Sequence, residues 1–132
     1  MTWERLEIRT PGREAFVDIT RKVAALVVES GVREGTVTLY CPHTTAGLTV
    51  NENADPDVRH DMLLALDRLV PMLREFRHSE GNSDAHTKAS LVGSHLVLPV
   101  EAGSLALGTW QGVYLCEFDG PRSRKVLARV SS

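Results

Sequence analysis

The sequence predicts an α+β fold, a mostly antiparallel, sandwich-like sheet with two helices in the order β-β-α-β-β-α-β-β-β-β. Three observations predict it. From His95 onward the chain breaks into short apolar runs punctuated by Gly, Pro, Asp and Ser, at the spacing of antiparallel strands. One longer stretch, Val58 to Leu73, repeats its apolar residues every three or four positions, as a helix does. The 132 residues carry no internal repeat, linker or low-complexity segment, so residues 1–132 read as a single domain.

Taken in order, Trp3 to Arg9 alternates with Leu6 and Ile8 on one face. Thr10-Pro11-Gly12 then turns the chain, and Ala15, Val17 and Ile19 alternate again, which reads as a β-hairpin. Thr20 is the expected N-cap of a short helix with Val23, Leu26 and Val27 on one face, stopped at Gly31. Thr36 to Cys41 and Leu48 to Asn51 are strands by composition. The second helix has the clearest start signal: Asp55 as cap, Pro56 in the first turn, and Asp57 adding favourable negative charge there. Pro71 ends or kinks it. Arg77 to Thr87 reads as a polar loop with Gly81 and Asn82 at its tip, and Ala89 to Val92 as a helical turn. Strands follow at His95 to Val100, Ser104 to Thr109, Gly112 to Phe118 and Lys125 to Val130.

Composition excludes several function classes. A net charge of −2 gives no overall attraction to nucleic acid or an anionic membrane, so any anion binding must be local. No segment approaches a membrane span and the N-terminus has no signal-like apolar run, so the expected location is cytoplasmic. Cys41 and Cys116 lie far apart in apolar runs and are expected to be buried free thiols.

The chemistry-bearing residues are concentrated between His43 and His86. Asn51, Glu52, Asn53, Asp55, Asp57 and Asp61 fall within eleven residues, and His78, Glu80 and Asp84 follow. His43, His78 and His86 sit in expected loops beside carboxylates, the donor set of zinc and other borderline divalent metals. Their spacing matches no short zinc signature, and protonated histidines would instead suit an anion pocket. Glu52, Asp55, Asp57 and Asp61 offer oxygens of the kind magnesium prefers, although Asp55 is also accounted for as a helix cap. Lys88 follows His86. Gly108 before Thr109, Trp110 and Gln111 permits close backbone approach next to hydrogen-bonding side chains. Arg122 and Arg124 lie in a turn, where either would bind phosphate if it faced the loops. His60, inside the second helix, and His95, opening a strand, are left outside the site.

Three stretches, HTTAGLTVNENADPDVRHDM, RHSEGNSDAHTKASLVGSH and LALGTWQGVYLCEFDGPRSRKV, together resemble the YjbQ-type proteins, also called the secondary thiamine-phosphate synthase family. They cover most of the chain between residues 41 and 126. The resemblance implies a small α+β domain assembled as a homotrimer with sites near subunit contacts. It implies shared polar residues at His43, Asn51, Glu52, Asp55, Asp57, His78, Glu80, Asp84, His86, Lys88, Thr109, Trp110 and Gln111. It also implies a weak thiamine-phosphate synthase activity, joining hydroxymethylpyrimidine diphosphate to a thiazole phosphate with release of pyrophosphate.

Combining both lines, His43, Asp57 and Lys88 are the expected catalytic residues. Asn51, Glu52, Asp55, Glu80, Thr109, Trp110, Gln111 and Arg122 are the expected substrate contacts, and His43, His78 and His86 hold a divalent metal, zinc or magnesium. The expected partner is a phosphorylated small molecule. The alternative is a non-catalytic trimer that binds a phosphorylated metabolite or metal. Turnover by the purified protein discriminates the two.

Overall fold

The computed structural model describes residues 2–132. Eight strands and three helices follow one another as β1 (Glu4–Arg9), β2 (Ala15–Asp18), α1 (Thr20–Ser30), β3 (Gly35–Tyr40), β4 (Ala46–Glu52), α2 (Pro56–Leu69), α3 (Ser83–Val92), β5 (His95–Glu101), β6 (Ser104–Leu105), β7 (Gln111–Glu117) and β8 (Ser123–Ser131). The strands form a five-stranded sheet in the order β1-β8-β3-β5-β6 and a three-stranded sheet in the order β2-β7-β4. All pairings are antiparallel. The α+β class and the antiparallel sandwich are therefore as the sequence predicts.

The two sheets share one core. Val37, Leu39, Leu98, Val100, Val126 and Ala128 of the larger sheet meet Ala46, Leu48, Val113 and Leu115 of the smaller, and Val23 and Val27 of α1 complete the contact. The far face of the smaller sheet has a second core. There Phe16, Tyr114 and Cys116 pack on Ala85 and Ala89 of α3, with Met62, Leu63 and Leu66 of α2 alongside. Covering both faces of β7 explains why Gly112 to Glu117 are all buried and show no alternation. The larger sheet keeps its other face uncovered: Val97 is 59% exposed and Tyr40 44%.

Several expectations are corrected. The opening segments are not a hairpin, because β1 pairs with β8 and β2 with β7, in different sheets. Each fills an edge that a later strand creates, a long-range pairing that local alternation cannot reveal. There are three helices rather than two. The helical turn expected at Ala89 to Val92 extends back to Ser83, through the end of the expected loop, and its inward face is Asp84, Ala85, Lys88 and Ala89 rather than an apolar stripe. The expected strand from Ser104 to Thr109 shrinks to Ser104–Leu105.

α2 forms as its sequence dictates. Asp55 accepts a hydrogen bond from Asp57 N–H at 2.9 Å, Pro56 takes the first position, and Arg68 sits in the last turn. The helix stops at Leu69, with Val70 leaving the helical conformation before Pro71. No α2 residue is fully buried. Among the described residues, no helix is long and apolar enough to cross a membrane.

β4 approaches the end of α3 very closely. Leu48 N–H donates to Gly93 C=O at 3.0 Å, and a Cβ on Gly47 would stand 2.7 Å from that same oxygen. Glycine at 47 is thus what lets α3, with His86 on it, lie against the strand.

Candidate functional site

The structure gathers the histidine half of the predicted site. A cavity of about 410 Å³ is lined by His43, His78, Glu80 and His86, and by Asn82, Asp119, Arg122 and Arg124. A neighbouring hollow of about 530 Å³ shares His43, Thr44 and His86 and runs on toward Ala89, Ser90 and Gly93. His43 follows the end of β3, His78 lies between α2 and α3, and His86 is on α3. The His78 and His86 rings pack edge to face with centroids 5.4 Å apart. A separate groove of about 360 Å³, lined by Thr2, Glu4, Leu26 and Glu29 among others, contains none of the candidates.

His43 has a defined chemical state. The β3–β8 ladder stops at Tyr40 opposite Leu127, and beyond it the Lys125 N–H donates to His43 Nε2 at 2.9 Å. A backbone N–H can only donate, so Nε2 is unprotonated and the neutral ring carries its proton on Nδ1. Burial, followed by the nearby positive charge of Arg124, lowers the pKa of His43 and favours this neutral form.

The cavity floor is a buried ion pair. Arg124, 4% exposed, donates from Nε to Glu117 Oε1 at 2.9 Å and from Nη2 to Glu117 Oε2. Nη2 also donates to Thr45 Oγ1 at 2.9 Å. Glu117 has no exposure, and it further accepts from the Thr10 hydroxyl at 2.7 Å and Asp119 N–H at 3.1 Å. Burial alone would raise the Glu117 carboxyl, but these donors, Arg124 first, outweigh it and hold its pKa below the usual range. Arg122 is differently placed. It donates from Nε to Asp119 C=O at 2.7 Å and from Nη2 to Asp119 Oδ2 at 2.9 Å, with its side chain half exposed. Asn82 Nδ2 donates to the same Oδ2 at 2.7 Å, while Asn82 Oδ1 is sealed off with no donor.

The remaining candidates lie elsewhere. β4 and β7 pair from Ala46↔Glu117 at the cavity end to Glu52↔Gln111 at the other. Six strand steps separate these ends by about 20 Å. Asn51, Glu52, Asp55, Asp57, Thr109, Trp110 and Gln111 cluster at the far end. Asp55 caps α2, and Gln111 Oε1 accepts from Gly108 N–H at 2.8 Å. Asn53 N–H donates to Trp110 C=O at 2.9 Å, and the Trp110 side chain is left 63% exposed. One chain alone therefore does not place this group at the histidine cavity.

Lys88 is also away from the cavity. It is 1% exposed, and its ammonium is held by Glu14 at 2.7 Å, by Asp67, and by Asp84 at 3.8 Å. Burial would lower its pKa, but Asp67 and Glu14 raise it above the usual lysine value. It therefore stays charged, already neutralised by three carboxylates, with no free face for a phosphate. The role expected of it is corrected to a tie between the β1–β2 connection, α2 and α3. The two cysteines are free and buried, as expected, and burial pushes both thiols up in pKa. Neither has the character of a nucleophile.

A metal held by all three histidines does not fit this arrangement. With Nε2 accepting from Lys125, His43 could ligate through Nδ1 only by losing its last proton and becoming an imidazolate. Among the described residues, no three His, Cys, Asp or Glu side chains are set around one ion. In this tautomer His43 offers the cavity an N–H donor at Nδ1 rather than a lone pair.

Sequence reasoning passed over Asn82, Asp119 and the pairing of Glu117 with Arg124. A signal for Arg124 is present: it shares the alternating inward face of β8 with Val126, Ala128 and Val130.

Comparison with known proteins places these features in context. The family model for the UPF0047 protein YjbQ-like group matches residues 4–132. The UPF0047 protein YugU of Bacillus subtilis is 55% identical over 120 residues, covering 90% of this chain and 91% of that protein. A UPF0047 protein of Methanocaldococcus jannaschii is 48% identical, covering 96% of this chain and 91% of its own length. Among solved structures, a YjbQ/UPF0047 family protein from Clostridium acetobutylicum superposes with a TM-score of 0.94 at 51% identity, over 97% of this chain and 99% of that one. A conserved protein from Thermus thermophilus gives 0.90 at 54% identity, over 97% and 99%. None of these relatives is named for an activity.

Proposed function

The chain belongs to the YjbQ-like UPF0047 family, and from that premise we propose that its histidine cavity binds a phosphorylated small molecule. The observation that carries this reading is the state of His43. Its free ring nitrogen is a fixed N–H donor, set beside arginines on the wall of a cavity large enough for a small metabolite. Hydrogen-bond donors around a diphosphate stabilise the charge that develops on a departing pyrophosphate. The reaction proposed is accordingly the one the family resemblance implies. Hydroxymethylpyrimidine diphosphate loses pyrophosphate as its carbon is joined to the ring nitrogen of the thiazole phosphate. The test is pyrophosphate release by purified protein given both substrates, alongside the H43A and D57A variants. Turnover that both substitutions abolish supports the transferase. Background turnover with retained phosphate binding reduces the protein to a binding module.

The far cluster enters this reading through assembly. We infer a homotrimer in which Asn51, Glu52, Asp57, Thr109 and Trp110 of one subunit approach the histidine cavity of the next. Supporting this are the exposed Trp110 and the uncovered sheet face with Tyr40 and Val97. The solution mass by light scattering tests it; a monomer would sink it.

A second reading keeps a divalent ion at His78 and His86. Two imidazoles on one tetrahedral zinc ion have centroids about 5 Å apart, close to the 5.4 Å observed. Elemental analysis of the wild-type protein and of H78A and H86A decides it, since equal metal content in all three would end this reading.

A further inference from the structure

We propose that Arg124, not the more accessible Arg122, is the residue that anchors the anion, donating from Nη1 to the terminal phosphate while His43 Nδ1–H donates beside it. This rests on the phosphate reading above and identifies the part of the site that recognises the charge.

The guanidinium of Arg124 is divided between two tasks. Its Nε and Nη2 are committed to Glu117 and Thr45. Among the described residues, Nη1 has no partner, yet it is not one of the polar atoms sealed from solvent. The residue lines the cavity. The small accessible part of a residue that is 4% exposed therefore includes the one nitrogen with donors to spare. Two-point fixation by Glu117 holds the guanidinium plane, so little freedom is lost when a ligand binds to its remaining edge. Its desolvation also strengthens a contact made there relative to one in water.

Arg122 has the opposite properties. It is half exposed, and both Nε and Nη2 already serve Asp119. Drawing it onto a ligand would uncouple it from Asp119, which Asn82 also engages.

The geometry also bears on the kind of anion. His43 in its neutral form and Arg124 both donate, and neither needs a proton from solution to do so. A fully ionised terminal phosphate or diphosphate, with several oxygens to share between two donors, satisfies both at once.

Inorganic pyrophosphate is the probe. In wild-type protein with nitrogen-15 label, its addition is expected to shift the Arg124 guanidinium and His43 Nδ1 signals and to leave Arg122 Nε in place. Shifts at Arg122 with Arg124 silent would overturn the assignment. Calorimetry supplies a second measure. Arg122→Gln is expected to weaken pyrophosphate binding by less than about threefold, and the paired Glu117→Gln, Arg124→Gln variant by at least about thirtyfold. Replacing both members avoids stranding a buried charge, and circular dichroism confirms that the pair still folds. If the pair fails to fold, the nitrogen-15 shifts of the wild-type protein decide alone. Wild-type protein that binds no pyrophosphate overturns the phosphate reading and this assignment with it. Binding in which Arg124 plays no part overturns this assignment alone.

Discussion

The Lys125 backbone N–H donates to His43 Nε2 at 2.9 Å, so a side chain takes over where the β3–β8 ladder ends. This contact fixes the tautomer of a histidine that, with His86, faces both halves of the cavity.

His43 is therefore expected to titrate below the usual histidine range, visible in its ring nitrogen shifts. Its folded pKa is lowered, so the unfolded chain takes up the proton first as pH falls. The stability this supplies is complete above the ordinary histidine pKa of about 6.5 and is lost as pH drops through the folded value. His43→Gln, whose amide oxygen can still accept from Lys125, is expected to hold stability. His43→Ala is expected to lose about 1 kcal/mol in urea denaturation.

Arg124→Met should be among the most damaging single changes, because it strands the Glu117 carboxylate with no solvent around it. Removing one member of such a pair costs about 3–5 kcal/mol. Adding Glu117→Leu should recover most of the loss, measured by chemical denaturation of the single and double variants. Since the Glu117 pKa is depressed, its contribution is present above the ordinary carboxyl range and disappears as pH falls through the folded value.

Lys88→Met leaves Glu14, Asp67 and Asp84 facing one another without their cation. A loss of about 3 kcal/mol is expected. The raised Lys88 pKa reverses the sign of the pH effect. Its contribution is complete below the ordinary lysine pKa and is lost as pH rises through the folded value. Thermal melts of wild-type and variant between neutral and strongly alkaline pH would show the difference between them closing.

Gly47→Ala should displace the end of α3 from β4, because the added carbon meets the Gly93 carbonyl, a backbone atom with no rotamer to adopt. A cost of about 1–3 kcal/mol is expected, together with weaker pyrophosphate binding, because His86 moves with the helix. Unchanged melting temperature and affinity would show that the contact relaxes freely.

The parts of this molecule that were legible in its sequence are those built from local signals. The cap and proline that start α2, the strand composition of the last third and the burial of both cysteines needed no knowledge of distant residues. The pairing of β1 with β8 and β2 with β7 carries no local mark. α3 was hidden because its inward face holds Asp84 and Lys88, which read as solvated until Glu14 and Asp67 are brought beside them. The candidate site divided for a similar reason. Residues 43 to 57 are close in sequence, but β4 is a straight strand and carries its two ends apart. Arg124 reads as a turn residue equivalent to Arg122 because composition starts the strand at Lys125, one residue too late to count Arg124 among the inward positions or to pair it with Glu117.

α2 has no fully buried residue and is held to the rest largely by a few half-covered side chains and the Asp67–Lys88 contact. A segment secured so lightly opens at a lower free energy than the sandwich beneath it. Its amides should exchange with deuterium well before those of β7 and β8. The two walls of the cavity are thus expected to differ in kinetic character: Arg124 lies in β8 and His43 is tied to that strand through Lys125, whereas His78 and Glu80 lie in the segment between α2 and α3.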